Sequence, residues 1–130
     1  DLHLPWHSFP TRRSSDLAAQ LLINMDEEFF RLLDVLPVSK GYLPRILDYY
    51  ESHDAESLAR KLSSIQGFKG ISSPMVQCEG GWKADFSSRY FTEDFPYGLH
   101  YIWKLAHEHG IHTPNIDKVY EWGRRCVTNS

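Results

Sequence analysis

Apolar side chains recur along the first part of the chain at the three- and four-residue spacing of a helix with one buried face. Between Ala18 and Leu36 the apolar positions are Leu21, Leu22, Met25, Phe29, Leu32, Leu33 and Leu36. This spacing predicts an amphipathic helix over 18–36, with Asp16 as a candidate cap. The acidic run Asp26-Glu27-Glu28 is expected on its solvent-exposed side, and Pro37 is expected to end it.

Two shorter helices are predicted next. The first begins near Leu43-Pro44, since proline favours the first turn of a helix. The second begins after Asp54, whose carboxylate is expected to cap it, and ends before Gly67. The apolar positions of these two helices are Ile46, Leu47, Tyr50, Leu58 and Leu62.

The segment from Gly67 to Ser88 interrupts the helical pattern. It contains four glycines, Pro74 and a Ser72-Ser73 pair, and it shows no sustained hydrophobic period. The segment is therefore predicted to be a loop without strands. A loop of about twenty residues is uncommon in a compact domain and is often functional. Trp82 lies in it and is a candidate to cover a bound ligand.

Two more helices are predicted in the last third of the chain. One runs from Glu93 or Pro96 to His109, where Gly110 supplies a left-handed stop. The other begins at Thr113-Pro114, a capping residue followed by a proline. Their inward positions are Leu99, Ile102, Trp103, Ala106, Ile116, Val119, Tyr120 and Cys126. Because no strand is predicted, the fold class is all-α, with about five helices in a single domain.

Charge and composition exclude several classes of function. The formal net charge is −3, and a protein that binds the nucleic-acid backbone needs clustered lysine and arginine instead. No apolar run approaches the roughly 18 residues that span a bilayer, so no membrane partner is expected. Cys78 and Cys126 are too few and too far apart for a disulfide framework or a zinc site. With no secretory signal visible, a cytoplasmic location is the expectation.

The first seventeen residues differ in character from the rest. The stretch from Ser8 to Leu17, SFPTRRSSDL, resembles a translated sequencing-library adapter joined to a truncated gene. It contains no apolar core of a signal peptide and no amphipathic period of a transit peptide. We therefore expect residues 1–17 to be a non-native segment and residues 18–130 to be the natural domain.

Arg89 and Asp94 are the candidate chemical groups of the chain. Taken alone, Arg89 is better explained by a surface ion pair, and Asp94 by a helix cap just before Pro96. Chemically, a guanidinium can bind a carboxylate or a pyrophosphate through two hydrogen bonds. A carboxylate can hold an imidazole in one tautomer and stabilise its charged form.

The sequence around these two residues resembles the substrate-domain signature of the opine dehydrogenase family. That signature is R-Y-x-x-E-D-x-P-x-G-L before a helix, followed by a G-[IV]-x-T-P-x-I-D turn. The matching residues of this chain are Arg89, Tyr90, Glu93, Asp94, Pro96, Gly98, Leu99, Gly110, Ile111, Thr113, Pro114, Ile116 and Asp117. A looser resemblance extends back to about Met25.

The resemblance implies a function and roles for single residues. It implies the helical substrate domain of an enzyme that condenses an α-keto acid with an amino acid, using NAD or NADP as reductant. Asp94 would pair with a catalytic histidine, Arg89 would bind an anion in the cleft between two domains, and Trp82, Tyr90 and Glu93 would line that cleft. The chain lacks the G-x-G-x-x-G fingerprint of a dinucleotide-binding domain. The cofactor domain is therefore expected to be missing, and the chain alone is expected to be inactive.

No residue of the chain matches the catalytic histidine of that family. Four histidines could take its place: His100, His107, His109 and His112. Their spacing is not that of metal ligands, because residues i and i+2 of a helix point to different sides. They are interpreted as helix-end residues, and no metal site is predicted. Two alternatives stay open: a helical interaction module, and the helical domain of another two-domain dehydrogenase, for which Lys104 is the candidate catalytic lysine.

Overall fold

The computed structural model describes residues 12–128 of the chain. The helices are α1 (Arg12–Val35), α2 (Ile46–Tyr49), α3 (Ala55–Ser64), a π-helix (Tyr90–Leu99), α4 (His100–Glu108) and α5 (Pro114–Thr128). A short 3-10 turn (Gln66–Phe68) and two strands, β1 (Met75–Cys78) and β2 (Gly81–Ala84), lie between α3 and the π-helix. The predicted all-α class is confirmed, although the part of the chain that the structure describes also contains this small hairpin.

Helix α1 is the long amphipathic helix predicted from the apolar spacing. It begins at Arg12 rather than at Ala18, so Asp16 lies inside the helix and the prediction that it caps the helix is wrong. The buried residues Ala19 and Ile23 pack with Leu58 of α3. Around these three, the partly buried side chains are Ile46, Leu47, Tyr50, Ala55, Ala59 and Leu62. One end of α1 therefore forms a first hydrophobic core with α2 and α3.

Two acidic residues of α1 were expected in solvent, and that prediction is wrong. Glu28 is only 2% exposed. Its Oε2 accepts a hydrogen bond from the backbone N–H of Asn115 at 3.0 Å, and its Oε1 accepts one from the N–H of Ile116 at 2.9 Å. The half-buried Asp26 accepts a bond from the N–H of Ile46 at 3.1 Å. Because the first N–H groups of a helix have no partner within it, each carboxylate caps a neighbouring helix.

Helix α3 begins as the sequence indicates. The N–H of Ser57 donates to Oδ1 of Asp54 at 2.8 Å, and the Ser57 hydroxyl accepts from the Asp54 N–H at 3.0 Å, which completes a capping box. Hydrogen bonds from the backbone N–H and the side chain of Ser57 to the Asp54 carboxyl hold its pKa below its ordinary value. The preceding helix, α2, is a single turn that begins at Ile46, later than expected.

The segment predicted as an unstructured loop contains an antiparallel hairpin. In its register Val76 pairs with Lys83 and Cys78 pairs with Gly81. The connection is the two-residue loop Glu79-Gly80, and Gly80 has φ +86°, a left-handed conformation that glycine adopts without strain. Gly80, one of the glycines that suggested a loop, is therefore a residue that allows the tight turn.

A four-residue turn, residues 85–88, lies between the hairpin and Arg89. The N–H of Asp85 donates to the carbonyl of Pro74 at 2.9 Å, which closes the base of the hairpin. The Asp85 carboxylate accepts hydrogen bonds from the side chain and the backbone N–H of Ser87, and these bonds lower its pKa. The N–H of Ser88 donates to the carbonyl of Asp85 at 3.1 Å. The turn therefore fixes the direction in which the chain enters Arg89.

The fourth predicted helix begins earlier than expected and starts in an unusual form. Tyr90–Leu99 is a π-helix with Pro96 inside it, and it continues directly into α4. At the junction the N–H of His100 donates to the carbonyl of Phe95, five residues back. Gly110 has φ +66°, which confirms the left-handed stop. Helix α5 begins at Pro114, as predicted.

An aromatic cluster holds the π-helix against α5. The rings of Phe91 and Phe95 stack with centroids 5.3 Å apart, and Phe91 meets Trp122 edge-on at 5.6 Å. Phe86 from the preceding turn also contacts Phe91, at 4.9 Å. Gly123 is buried beneath Phe95, and a Cβ atom built on it would lie 2.7 Å from Cζ of that ring. The two helices can therefore approach this closely only because residue 123 is glycine.

The buried carboxylate of Glu28 should be the most sensitive polar position of the fold. We expect Glu28→Ala to lower the free energy of unfolding by about 3 kcal/mol, because it leaves backbone N–H groups of α5 buried without an acceptor. Glu28→Gln keeps one acceptor oxygen and should cost less. Denaturant melts would measure both, with Glu27→Ala on the exposed side of α1 as the control. An equal loss in the control would contradict this role.

Gly123 should not accept a larger residue. We expect Gly123→Ala to destabilise the fold by about 2 kcal/mol, since the added methyl group forces the Phe95 ring to move. Gly98→Ala in the π-helix is the matched control, because a Cβ atom there meets nothing within 4 Å. Thermal or denaturant unfolding would compare the two variants. A stability loss at Gly98 as large as that at Gly123 would show that helix packing is not the cause.

The turn before the π-helix should show a defined pH dependence. The folded pKa of Asp85 lies below its ordinary value of 3.8. Its stabilising contribution is therefore complete above that pH and is lost as the pH falls through the lowered folded value. We expect Ser87→Ala to return the Asp85 pKa towards 3.8, which an NMR titration of the carboxyl carbon would measure. Ser63→Ala, on the exposed side of α3, should leave the Asp85 titration unchanged.

Candidate functional site

Arg89 lies directly before the π-helix with its side chain in solvent. The side chain is 86% exposed, and its Nε and Nη2 atoms donate to Oε2 of Glu93 at 3.1 and 2.9 Å. An exposed ion pair of this kind contributes little to stability, because water screens both charges. The pair does hold the guanidinium in one orientation while its remaining N–H groups stay accessible to an anion.

Asp94 does not cap a helix, because it lies in the middle of the π-helix. Its side chain is exposed, and its carboxylate makes no hydrogen bond or ion pair with any residue from 12 to 128. In a π-helix the backbone hydrogen bonds join residues five apart, so side chains five apart point towards a similar side. This geometry favours a common side for Arg89 and Asp94, whereas an α-helix would separate them.

Exposed tyrosines lie on the same continuous helical segment as Asp94. Tyr90 is 51% exposed and Tyr97 is 79% exposed. Tyr101, at the start of α4, is 60% exposed. Trp82 is 36% exposed and lies on β2 opposite Gln77. The candidate site residues on this segment and on β2 are therefore exposed to solvent.

The histidines near the end of α4 make separate contacts. Nε2 of His107 lies 3.1 Å from Oδ1 of Asp117, which also accepts the hydroxyl of Thr113 at 3.0 Å. Nδ1 of His109 lies 2.8 Å from the carbonyl of Leu105. Among the residues that the structure describes, no group of three histidine, cysteine or acidic side chains is arranged to hold a metal ion.

A second feature was missed by sequence reasoning: a cleft between the π-helix and α5. It has a volume of about 610 Å³, and its wall includes Phe91, Phe95, His100, Tyr120 and Arg124. Nδ1 of His100 lies 2.6 Å from the hydroxyl of Tyr120. These two residues are twenty positions apart and were assigned to different helices, so no local pattern indicated that they meet. We name this feature the His100–Tyr120 cleft.

Lys104 offers no support for an alternative catalytic lysine. It lies on the exposed side of α4, where its Nζ atom is 3.9 Å from Oε1 of Glu108. A lysine activated for catalysis is usually desolvated, which lowers its pKa.

Across residues 12–128, the structure shows no helix with both the length and the apolar character needed to cross a bilayer.

Comparison with known proteins identifies the family. Residues 6–127 match the family model described as NAD/NADP octopine/nopaline dehydrogenase, alpha-helical domain. The tauropine dehydrogenase of Arabella iricolor is 40% identical over 75 residues, which is 57% of this chain and 19% of that protein. The octopine dehydrogenase of Mizuhopecten yessoensis is 32% identical over 98 residues, which is 74% of this chain and 24% of that protein. The chain therefore spans about a quarter or less of these relatives.

Solved structures show the same fold. An octopine dehydrogenase with NADH and pyruvate superposes with a TM-score of 0.72 at 23% identity, over 94% of this chain and 33% of that one. A structure of octopine dehydrogenase with NADH and agmatine gives 0.71 at 21% identity, over 95% of this chain and 35% of the other. Because the family match covers nearly all of the described residues, the chain belongs to the NAD/NADP octopine/nopaline dehydrogenase family and contains its alpha-helical domain.

Proposed function

We propose that this chain is the substrate-binding helical domain of an NAD- or NADP-dependent opine dehydrogenase. In such an enzyme the amino group of an amino acid condenses with the carbonyl of an α-keto acid, and water leaves. A hydride from the nicotinamide then reduces the C=N bond, and the nitrogen keeps a proton. Octopine dehydrogenase structures that hold NADH with pyruvate or with L-arginine support this choice of substrate classes.

The exposed carboxylate of Asp94 is the observation that carries the proposal. It has no partner among residues 12–128, and it lies on the π-helix five residues after a guanidinium that is held by Glu93. An unpartnered carboxylate in this position can accept the N–H of a histidine supplied by another part of the enzyme. It would then hold the imidazole in the tautomer that exchanges a proton with the substrate oxygen or nitrogen.

Arg89 is assigned to bind an anion. Its guanidinium is anchored to Glu93 on one side and remains 86% exposed, so it can donate hydrogen bonds to a substrate carboxylate or to a cofactor pyrophosphate. The chain has no glycine-rich fingerprint for a dinucleotide, and Arg89 fits one anionic contact rather than a whole cofactor. NAD or NADP is therefore proposed to bind mainly outside this domain, and the domain alone is proposed to be inactive.

Exposed aromatic rings complete the proposed cleft. Tyr90 and Tyr97 flank Asp94 on the π-helix and are more than half exposed, at 51% and 79%. Large apolar surface of this kind usually marks a contact with a ligand or another domain. We propose that Trp82, Tyr90 and Glu93 line the space in which the amino-acid substrate lies, opposite the cofactor-binding part of the enzyme.

The assignment of residues 1–17 to a non-native segment stays a proposal. Its support is the likeness of the stretch SFPTRRSSDL to a translated adapter. Residues 12–17 continue α1, and the family match begins at residue 6. A foreign segment can extend a helix that is already formed, because propagation costs far less than nucleation. Residues 1–11 lie outside the described part of the structure.

Asp94→Asn should separate a catalytic role from a structural one. In the full-length enzyme we expect turnover of keto acid and amino acid to fall by about 100-fold or more, since the amide cannot stabilise a charged imidazole. Steady-state oxidation of NADH would measure the loss, with circular dichroism to confirm the fold. Asp48→Asn, at an exposed site on α2, is the matched control. Turnover of the Asp94 variant within about twofold of the parent would refute the assignment.

A further inference from the structure

We propose that the His100–Tyr120 cleft binds an organic carboxylate with an aromatic or aliphatic body. The cleft lies between the π-helix and α5 and includes neither Arg89 nor Asp94 in its wall. This inference therefore does not rest on the function proposed for those two residues. Three observations carry it: the shape of the cleft, its apolar wall, and the charge of its polar groups.

The size and wall of the cleft suit a small molecule. Its volume of about 610 Å³ falls within the range of about 300–1,000 Å³ that is usual for ligand pockets. Phe91, Phe95 and Pro96 form one side, and Val127 of α5 forms part of the other. The stacked pair of Phe91 and Phe95 and the close helix approach at Gly123 keep this wall in place without a ligand. An apolar body can therefore enter a site that is already formed.

The polar end of the cleft is built around Tyr120. This residue is only 5% exposed, and its hydroxyl lies 2.6 Å from Nδ1 of His100. The Trp103 ring stacks on the Tyr120 ring with centroids 4.6 Å apart, which fixes the ring plane. Because Nδ1 of His100 is engaged with the hydroxyl, Nε2 is the ring nitrogen left to contact a ligand. No residue from 12 to 128 forms a hydrogen bond with Nε2.

The charge of the cleft selects an anion. Arg124 lies at its edge, with Cζ 5.8 Å from the centroid of the Tyr120 ring. Its Nη1 atom is 3.8 Å from Glu121, beyond hydrogen-bond length, so the guanidinium keeps its donors available. Among the described residues that form the wall, none is acidic. The carboxylate group of a ligand can therefore contact Arg124 and His100 without facing a like charge in the wall. The apolar body of the same ligand would lie on Phe91 and Phe95.

The test uses the whole chain, with 3-phenylpropanoate as the probe and neutral 3-phenylpropanamide as its isostere. We expect the acid to change the NMR chemical shifts of Phe95, His100 and Tyr120. The amide should bind at least fivefold more weakly than the acid. Arg124→Gln should weaken binding of the acid by about fivefold, a modest factor because the guanidinium is exposed. Arg125→Gln removes the same charge from the next position of α5 and should leave the affinity unchanged.

Several outcomes would overturn the proposal. Equal affinity for the acid and the amide would show that the cleft does not select an anion. Equal effects of the two arginine variants would show that binding depends only on the overall charge of the chain and not on Arg124. No shift at the cleft residues with millimolar probe would exclude the site. Sedimentation that shows a dimer, with Val127→Arg restoring a monomer, would assign the cleft to a second copy of the chain instead.

Discussion

The buried carboxylate of Glu28 is the constraint on which the rest of this domain depends. Helix α1 packs on α2 and α3 through an apolar core, and none of the residues of that core lies on α5. Glu28 accepts backbone hydrogen bonds from Asn115 and Ile116, 87 and 88 residues away in sequence, at the first turn of α5. A helix end that is buried needs such acceptors, since its first N–H groups have none of their own. The carboxylate therefore holds the first turn of α5 against α1.

The position of the π-helix follows from the placement of α5. Trp122 and Gly123 of α5 contact the Phe91 and Phe95 rings, and the close approach at residue 123 leaves no room for a side chain. The π-helix in turn carries Asp94 and begins directly after Arg89. The contact of Glu28 with α5 and the aromatic packing of α5 on the π-helix thus connect α1 to the candidate site residues.

The helices were predictable from sequence where local chemistry determines them. Asp54 caps α3, Gly110 ends α4 in a left-handed conformation, and Pro114 begins α5, because each effect involves only neighbouring residues. The burial of Glu28 could not be predicted in this way. Apolar spacing assigns every carboxylate to solvent, and it cannot show that a distant helix end requires an acceptor. The hairpin was not predicted because β1 and β2 are only four residues long, which is too short to show an alternating pattern.

The candidate site could likewise be predicted from the sequence only in part. Arg89 and Asp94 could be selected from the sequence, but the π-helix that sets their relative positions could not be predicted. An α-helix of the predicted bounds would place Asp94 at its first turn, where the helix dipole and free N–H groups engage a carboxylate. In the π-helix Asp94 lies well inside the helix, and its carboxylate stays unpaired. Pro96 lacks an N–H group and cannot complete a regular α-helical pattern, so the irregular backbone and the available carboxylate have a common origin.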